Sequence, residues 1–491
     1  MNGGWLFRRL CLGVIFGVVV AMTLHWRSKR SARFDFEPNK PRYTPYFPYW
    51  LLPAYLLLLF LLLPAVMGPW GGNVLFGILF QVFLQMTLYD GLMLLLLPLL
   101  RRFIRPQTCV FLWMLPNYLY LTYQTMLQPS RPMAVLAIPG PLMLAVCFIW
   151  LAGFVGVLGW NIFSHLRFRR RILKDAKPLT EPAAARLWEE LRQWAGQPRR
   201  RWPLLVSPQV TSPLSIGLFS STIQVVLPER HYTQEELTLI LRHELIHIGR
   251  GDSSAKFFFA FCSALCWFNP LVWAAMGRGA EELELSCDQE VLEWSSEEDR
   301  QEYARLLLTT AGEQAGFTTC LSASASSLRY RLRHVLHPIQ RNVWGSVAGL
   351  AVFALILSGG FVSLAYGAGT GRELLLSNGD QEISYLSEIY RFHDGEYGSA
   401  CQITDQEALL DYLAGLELQI VTGPYFYERT GEELWLTCHL DGDNSFRLVL
   451  QDTMVYAYPI NQLYQPRSYQ VAGGVNWGYL ESLLAAEAHG V

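Results

Sequence analysis

Runs of about twenty apolar residues restrict a chain more than any motif, because backbone in hydrocarbon must satisfy its own N–H and C=O groups. Six stretches here meet or nearly meet that length, approximately 5–24, 48–68, 74–100, 108–128, 135–163 and 343–366. Charged residues make up 16% of the 491 positions, against about 25% in ordinary soluble domains. A soluble enzyme of this size does not carry its apolar residues in such blocks. The first stretch lacks a small-x-small cleavage site and basic residues follow it, so it reads as a retained anchor rather than a leader.

The basic residues orient the set. Arg27, Lys29, Arg30 and Arg33 follow the first stretch, and Arg101, Arg102 and Arg105 separate the third from the fourth. Arg167, Arg169, Arg170, Arg171 and Lys174 follow the fifth, and Arg329, Arg331, Arg333 and Arg341 precede the sixth. If all six cross, every cluster falls on one side, which the positive-inside rule makes the cytoplasm. Arg8 and Arg9 argue mildly against the outside N-terminus that results. The expected layout is a membrane domain with about five helices over 1–166, a cytoplasmic domain over 167–342, a further span over 343–366, and an extracytoplasmic domain over 367–491. The arginines at 329–341, lying directly before a span, read as a positive-inside anchor or a contact with anionic lipid, not with nucleic acid.

The last segment contains no lysine and sets eighteen Asp and Glu against five Arg. It reads as a small α+β domain. Thr404 to Glu407 forms a capping box for a helix to about Leu416, and alternation over 433–440 and 445–450 predicts a hairpin. The nine cysteines show no CxxC spacing, so neither a disulfide framework nor a cysteine-only metal site is implied. Cys401 and Cys438 could pair if this segment lies outside.

The chemistry concentrates between 230 and 290. Thr233-Gln234-Glu235-Glu236 is a capping box that opens a helix with apolar positions at Leu237, Ile240, Leu241 and Leu245. On it lies His243-Glu244-Leu245-Ile246-His247. Histidines four apart share a helix face, so both imidazoles reach one Zn²⁺, and Glu244 is placed to move protons for a hydrolytic water. The alternative is an amphipathic helix with two surface histidines. A catalytic zinc usually takes three protein ligands, and Glu284, within Glu281–Asp288, is the expected third. Asp288, four residues on, is expected to accept a hydrogen bond from a ligating His and fix its tautomer. Cys287 points to a different face and reads as packing. Asp252 either supports a ligand His or caps the helix end, and support is the reading carried forward.

Residues 257–276 are apolar enough for a seventh crossing. A crossing would separate His247 from Glu284, so the Asn269-Pro270 break is read as the turn of a buried or membrane-dipping hairpin. Residues 203–228 read as two strands, Leu204–Ser207 and Ile223–Leu227. In zincin-like enzymes an edge strand there can pair with extended substrate; ordinary core strands are the alternative.

With these pieces placed, the chain resembles the BlaR/MecR-type membrane zinc peptidases, an antirepressor family. The residues that carry the resemblance are Ser212-Pro213 with Gly217, Val226-Leu227-Pro228, Leu241 to His247 with Asp252, Trp267 to Trp273, and Glu284 to Asp288, together with Tyr303-Ala304. It covers roughly 40–342 and is strongest over 205–310. The resemblance implies zinc held by His243, His247 and Glu284, with Glu244 as general base. It also implies an outer domain that senses a ligand and a cytoplasmic peptidase that removes a transcriptional repressor. The β-lactam sensors of the family need lysines in SxxK and KTG, and a lysine-free 367–491 departs from that pattern. β-Lactam acylation there is not expected.

The fold expected is a mainly α multi-pass membrane protein with a cytoplasmic gluzincin-like α+β peptidase domain and a small extracytoplasmic α+β domain. The expected partners are the lipid bilayer, a protein substrate (a cytoplasmic repressor or the chain itself) and an unknown extracytoplasmic ligand; a homodimer is left open. Two rivals are a membrane receptor or scaffold with a non-catalytic zinc site and a membrane-protein quality-control protease.

Overall fold

The computed structural model describes residues 7, 9–22, 49–67, 69–101, 103–122, 134–195, 201–219, 221–292, 295–309, 319–320, 325–337, 344–358, 362–376, 383–392, 399–422, 431–440, 445–459 and 467–486. The first part comprises α1 (Arg9–Met22), α2 (Leu51–Met67), α3 (Pro69–Leu100), α4 (Pro106–Met114), the short α5 (Leu119–Thr122), β1 (Ala134–Ile138) and α6 (Gly140–Lys174). The middle part holds β2 (Lys177–Pro178), α7 (Pro182–Trp194), β3 (Leu204–Ser207), β4 (Leu214–Ile216), β5 (Gln224–Pro228) and α8 (Gln234–Arg250). It continues through α9 (Asp252–Leu265), α10 (Pro270–Val291), α11 (Glu297–Thr309), β6 (Thr319–Cys320) and α12 (Ala325–Leu336). Then α13 (Trp344–Ser358) leads to β7 (Val362–Thr370), β8 (Ile383–Phe392), β9 (Ser399–Ile403), α14 (Gln406–Gly415) and β10 (Glu417–Val421). The chain closes with β11 (Glu433–Leu440), β12 (Ser445–Leu450), β13 (Met454–Pro459), β14 (Arg467–Val471), α15 (Trp477–Leu483) and β15 (Leu484–Ala486).

Two helical stretches are long and apolar enough to cross a membrane, Gly72–Leu100 in α3 and Leu142–Lys174 in α6. Leu144, Phe148, Ile149, Val155 and Trp160 of α6 are exposed, a surface far too apolar for water and suited to lipid. This surface suggests a membrane protein. Shorter apolar helices occupy Arg9–Met22, Leu51–Leu62 and Ser346–Leu357.

Three expected spans are not continuous α-helix over the expected range. In the fourth, the helix tightens into a 3-10 turn at Leu115–Tyr118, where Pro116 has no N–H for the α-helical ladder. In the fifth, Ala134–Ile138 is a strand and the helix starts only after Pro139. In the sixth, α13 ends at Ser358 and β7 starts at Val362. An apolar run does not distinguish a buried strand from the start of a helix, and here β1 and β7 pair in parallel, Ala134 with Val362 through Ile138 with Tyr366.

These two strands open a ten-stranded sheet of order β1-β7-β10-β14-β13-β12-β11-β8-β9-β15. One face packs against α14 and α15 through Leu409, Leu413, Leu436, Leu448 and Leu480. The expected hairpin is present as β11 and β12, with Leu434 opposite Leu450, and its turn lies outside the described residues. The expected capping box at Thr404 is not: Asp405 caps α14, accepting from the Ala408 N–H at 3.0 Å, while the Thr404 hydroxyl donates to the Leu483 carbonyl. Asp405 sits one residue nearer the helix and its carboxylate takes the N-cap. Cys401 and Cys438 are free thiols.

Side-chain amides of α3 hold the entry to this sheet. Asn73 donates to the Val421 carbonyl at 3.3 Å, Gln81 to that of Val362, and Gln85 to that of Leu355 at 3.2 Å. The Leu355 and Val362 carbonyls flank the passage from α13 to β7 and that of Val421 ends β10, and an unpaired carbonyl there would be costly in apolar surroundings. Two residues past Gln85 on α3, Thr87 accepts from Asn269 at 2.7 Å, and Asn269 caps α10 by accepting from the Leu271 N–H. The Asn269-Pro270 break therefore forms the expected hairpin between α9 and α10.

Helices α1 and α13 run antiparallel and cross at Gly17 and Gly349. A Cβ on Gly349 would stand 2.5 Å from the Gly17 carbonyl oxygen, so only glycine permits this approach. Arg9 donates to the Ile356 carbonyl at 2.6 Å, one of the carbonyls at the α13 C-terminus that the helix itself leaves unpaired. Gly349→Leu should separate the two helices and cost about 1–3 kcal/mol, as overpacking does. It is expected to lower the thermal unfolding temperature in detergent. Gly156→Leu, on α6 with open space around it, is expected to leave that temperature unchanged.

Candidate metal centre

Each element at this site is fixed by local chemistry. The Thr233–Glu236 capping box starts α8 with both reciprocal hydrogen bonds formed. Gly251, with φ of 72°, ends it in the left-handed conformation that glycine adopts without strain. The chain then turns at once into α9, which brings Asp252 back against His247. Helix α10 is long enough to belong to two cores. Val272, Ala275 and Met276 pack with the apolar helices, while Cys287 and Val291 pack with α7, α8 and α11. Glu284 and Asp288 sit where those cores meet.

Every sequence-predicted residue is brought here and buried: His243, Glu244 and Asp252 at 0% exposure, His247 and Asp288 at 1%, and Glu284 at 2%. His243 Nε2 and His247 Nε2 lie 2.9 Å apart. Glu284 Oε2 stands 3.8 Å from the first and 3.6 Å from the second. Four-coordinate ligands at about 2.0–2.1 Å from a zinc ion stand roughly 3.3–3.4 Å from one another, so this triangle has the right size.

The outer nitrogens explain why the inner ones are free to ligate. His247 donates from Nδ1 to Asp252 Oδ2 at 2.6 Å. The Tyr303 hydroxyl donates to Asp288 Oδ1 at 2.7 Å, and its oxygen lies 2.8 Å from His243 Nδ1, which donates to it in turn. With both Nδ1 protons engaged, each Nε2 presents a lone pair. Two lone pairs and a carboxylate oxygen thus converge in a buried space. Glu284 Oε2 accepts no hydrogen bond among the described residues. Such a donor set calls for a cation, and a divalent ion fits it.

The charges agree with this. Burial, and then the neighbouring His247, push the His243 imidazole well below its usual range. Burial works the same way on His247, but Cys287, Glu284 and the bond to Asp252 outweigh it and move this imidazole up, so that without an ion its Nε2 holds a proton that a bound cation would displace. Burial alone would raise the Glu284 carboxyl; Lys256, whose Nζ lies 2.8 Å from Oε1, together with His247 and Arg331, holds it well below the carboxylate range.

His243, His247 and Cys287 also form a compact trio of metal-capable groups. Direction separates Cys287 from Glu284. The Cys287 sulfur faces His243 Nδ1 at 3.5 Å, not Nε2, and its thiol donates to the His243 carbonyl. Burial pushes that thiol up to about 11, so it holds its proton at neutral pH.

Four residues of the site escaped sequence reasoning. Lys256 reaches Glu284. Arg250 grips Asp252 through Nε and Nη2 and ties α8 to Ser286 at 2.8 Å. Tyr303 entered only through the family resemblance. Arg331, assigned above to a lipid-facing cluster, is fully buried, and its Nε and Nη2 each lie 2.6 Å from an oxygen of Asp288. A signal for it was present: Leu328, Leu332 and Val335 place Arg331 within an apolar stripe of helical period, so it faces the core.

Comparison with known proteins agrees with the site. The family described as BlaR1 peptidase M56 matches residues 128–335. The regulatory protein BlaR1 of Bacillus licheniformis is 26% identical over 187 residues, which are 37% of this chain. The match spans only 30% of that protein's own length. The site residues from His243 to Asp288 lie within the segment that matches the family model, and residues 128–335 are similar to peptidases of the BlaR/MecR type.

Proposed function

We propose that this chain is a multi-pass membrane zinc endopeptidase and a signal-transducing regulator, cutting a cytoplasmic repressor or itself. The observation that carries the reading is the convergence of His243 Nε2, His247 Nε2 and Glu284 Oε2 within 3.8 Å, with both Nδ1 protons committed elsewhere. These three side chains hold the ion, with Asp252 and Asp288 in support. Zinc in this place supplies a Lewis acid that polarises the scissile carbonyl and makes water nucleophilic near neutral pH.

The chain's own groups do the rest. Glu244, next to His243 and fully buried, takes a proton from the attacking water and passes it to the leaving amine. The buried surroundings keep bulk water from competing and strengthen each charge interaction. Lys256 and Arg331 offset part of the negative charge of the cluster.

One feature favours the chain itself among the substrates. In the five-stranded sheet β2-β3-β5-β4-β6, the outer side of β4 is paired antiparallel with β6, Leu214 with Cys320 and Ser215 with Thr319. Ser254, at the start of α9, donates to the Leu218 carbonyl just past β4, tying that edge to the helix that carries Asp252 and Lys256. A strand at such an edge is how an extended substrate docks by β-augmentation. The segment around 319–320 is thus the proposed self-substrate. The orientation that fits the basic clusters puts the peptidase domain in the cytoplasm and the domain after α13 outside, sensing an unidentified ligand.

Glu244→Gln should retain zinc and lose cleavage of the chain or a co-expressed repressor by about 100-fold or more. Glu284→Ala should lose most of both; zinc content and fragment analysis on purified membranes measure these outcomes. Cleavage by Glu244→Gln at the wild-type rate would sink the enzyme reading and leave a receptor with a structural zinc. Prolines at Thr319 and Cys320 remove strand N–H groups and should abolish self-cleavage, read by mass spectrometry, without changing zinc content. Sidedness is read with an impermeant maleimide on intact cells, which should label Glu407→Cys and spare Arg333→Cys.

A further inference from the structure

The two histidines are braced differently. His247 is held by its own neighbourhood: Asp252 lies five residues on, and Arg250, which grips Asp252, lies between them. The brace of His243 is assembled from three separate helices. Tyr303 comes from α11, Asp288 from α10 and Arg331 from α12.

Arg331 is the keystone of that second brace. Its guanidinium takes both oxygens of Asp288 at 2.6 Å each, leaving Asp288 Oδ1 only one further direction, which the Tyr303 hydroxyl uses. The Tyr303 hydroxyl proton is thereby committed, and its oxygen must accept from His243 Nδ1. Arg331 Nη1 also stands 3.6 Å from Glu284 Oε2, so one side chain faces two of the three proposed ligands or their support. A buried arginine is costly unless every charge is matched, and here the match is specific and bidentate.

We propose that Arg331, acting through Asp288 and Tyr303, is a positioning residue for the metal centre, and that α12 thereby controls whether His243 presents Nε2 to the ion. This rests on the metallopeptidase reading above. Helix α12 precedes α13, which runs into β7 of the ten-stranded sheet. His243 is the ligand whose geometry depends on that distant connection, and His247 is the one that does not.

The test compares wild type with Arg331→Lys, Tyr303→Phe and Arg333→Ala, the last on the exposed face of α12. Full-length protein in detergent is titrated with zinc against a chromogenic chelator. The cobalt(II)-loaded form is then recorded in the visible region. Lysine keeps the charge of Arg331 but cannot make the fork; phenylalanine removes a single hydroxyl. Arg331→Lys and Tyr303→Phe should each weaken zinc about 10- to 100-fold, as loss of a ligand's hydrogen-bond partner does. Both should also move the cobalt band, and Arg333→Ala should match wild type. If Arg331→Lys does not fold, Tyr303→Phe decides alone, since removal of a hydroxyl leaves the packing in place. Zinc affinity and cobalt spectrum equal to wild type in Tyr303→Phe, or in a folded Arg331→Lys, would overturn the proposal. A wild type that binds no zinc would instead overturn the reading beneath it.

Discussion

Two imidazole lone pairs held 2.9 Å apart, with a carboxylate oxygen beside them and all three side chains buried, cannot persist without positive charge between them. The rest of the middle domain follows from that constraint. The histidines must share one helical face, which the spacing of 243 and 247 secures. Their outer nitrogens must be engaged, which requires carboxylates brought from outside α8. Gly251 lets Asp252 return within a single turn, and the length of α10 delivers Glu284 and Asp288 together. Each carboxylate that supports a histidine is in turn gripped by a buried arginine, Arg250 for Asp252 and Arg331 for Asp288.

The same helices join the site to the apolar bundle. One half of α10 is packed among the apolar helices and the other within the peptidase core. Between α6 and the α9–α10 hairpin, the Trp150 indole donates to the Leu265 carbonyl at 3.0 Å and the Trp267 indole donates to the Trp150 carbonyl at 3.1 Å. Helix α3 spans the distance from the sheet entry at Val421 and Val362 to Asn269 at the start of α10. Helix α3 and its side-chain hydrogen bonds therefore connect the ten-stranded sheet with the helix that carries Glu284. Such continuity is a physical precondition for coupling between the two, and coupling itself is a matter of two populated states.

How much of this was legible in the sequence depended on the range of the interaction. Caps, helix periodicity and the HExxH spacing are local, so α8, the 269–270 break and the pair at 284 and 288 could be read directly. Asp252 could be read because it lies one turn past the helix that needs it. Arg331 could not be placed the same way, since its partner is 43 residues away and its charge matched a simpler pattern of basic residues before a span. Its place in an apolar stripe was the better guide, and net charge the worse one. The strands β1 and β7 were missed for a related reason: Ala134–Ile138 and Val362–Tyr366 pair with each other across more than two hundred residues, and hydropathy carries no information about a partner.

The buried state of the site also bears on what can be cut. Glu244 has no exposed surface, so a folded protein surface cannot reach it without local opening. An extended segment can approach along a strand edge, with its backbone hydrogen bonds taken up one by one. At β4 that edge is held by β6, which pairs Cys320 with Leu214 and Thr319 with Ser215 among the described residues. On the proposed reading, an extended segment of a second protein would compete with β6 for that edge through the same backbone hydrogen bonds.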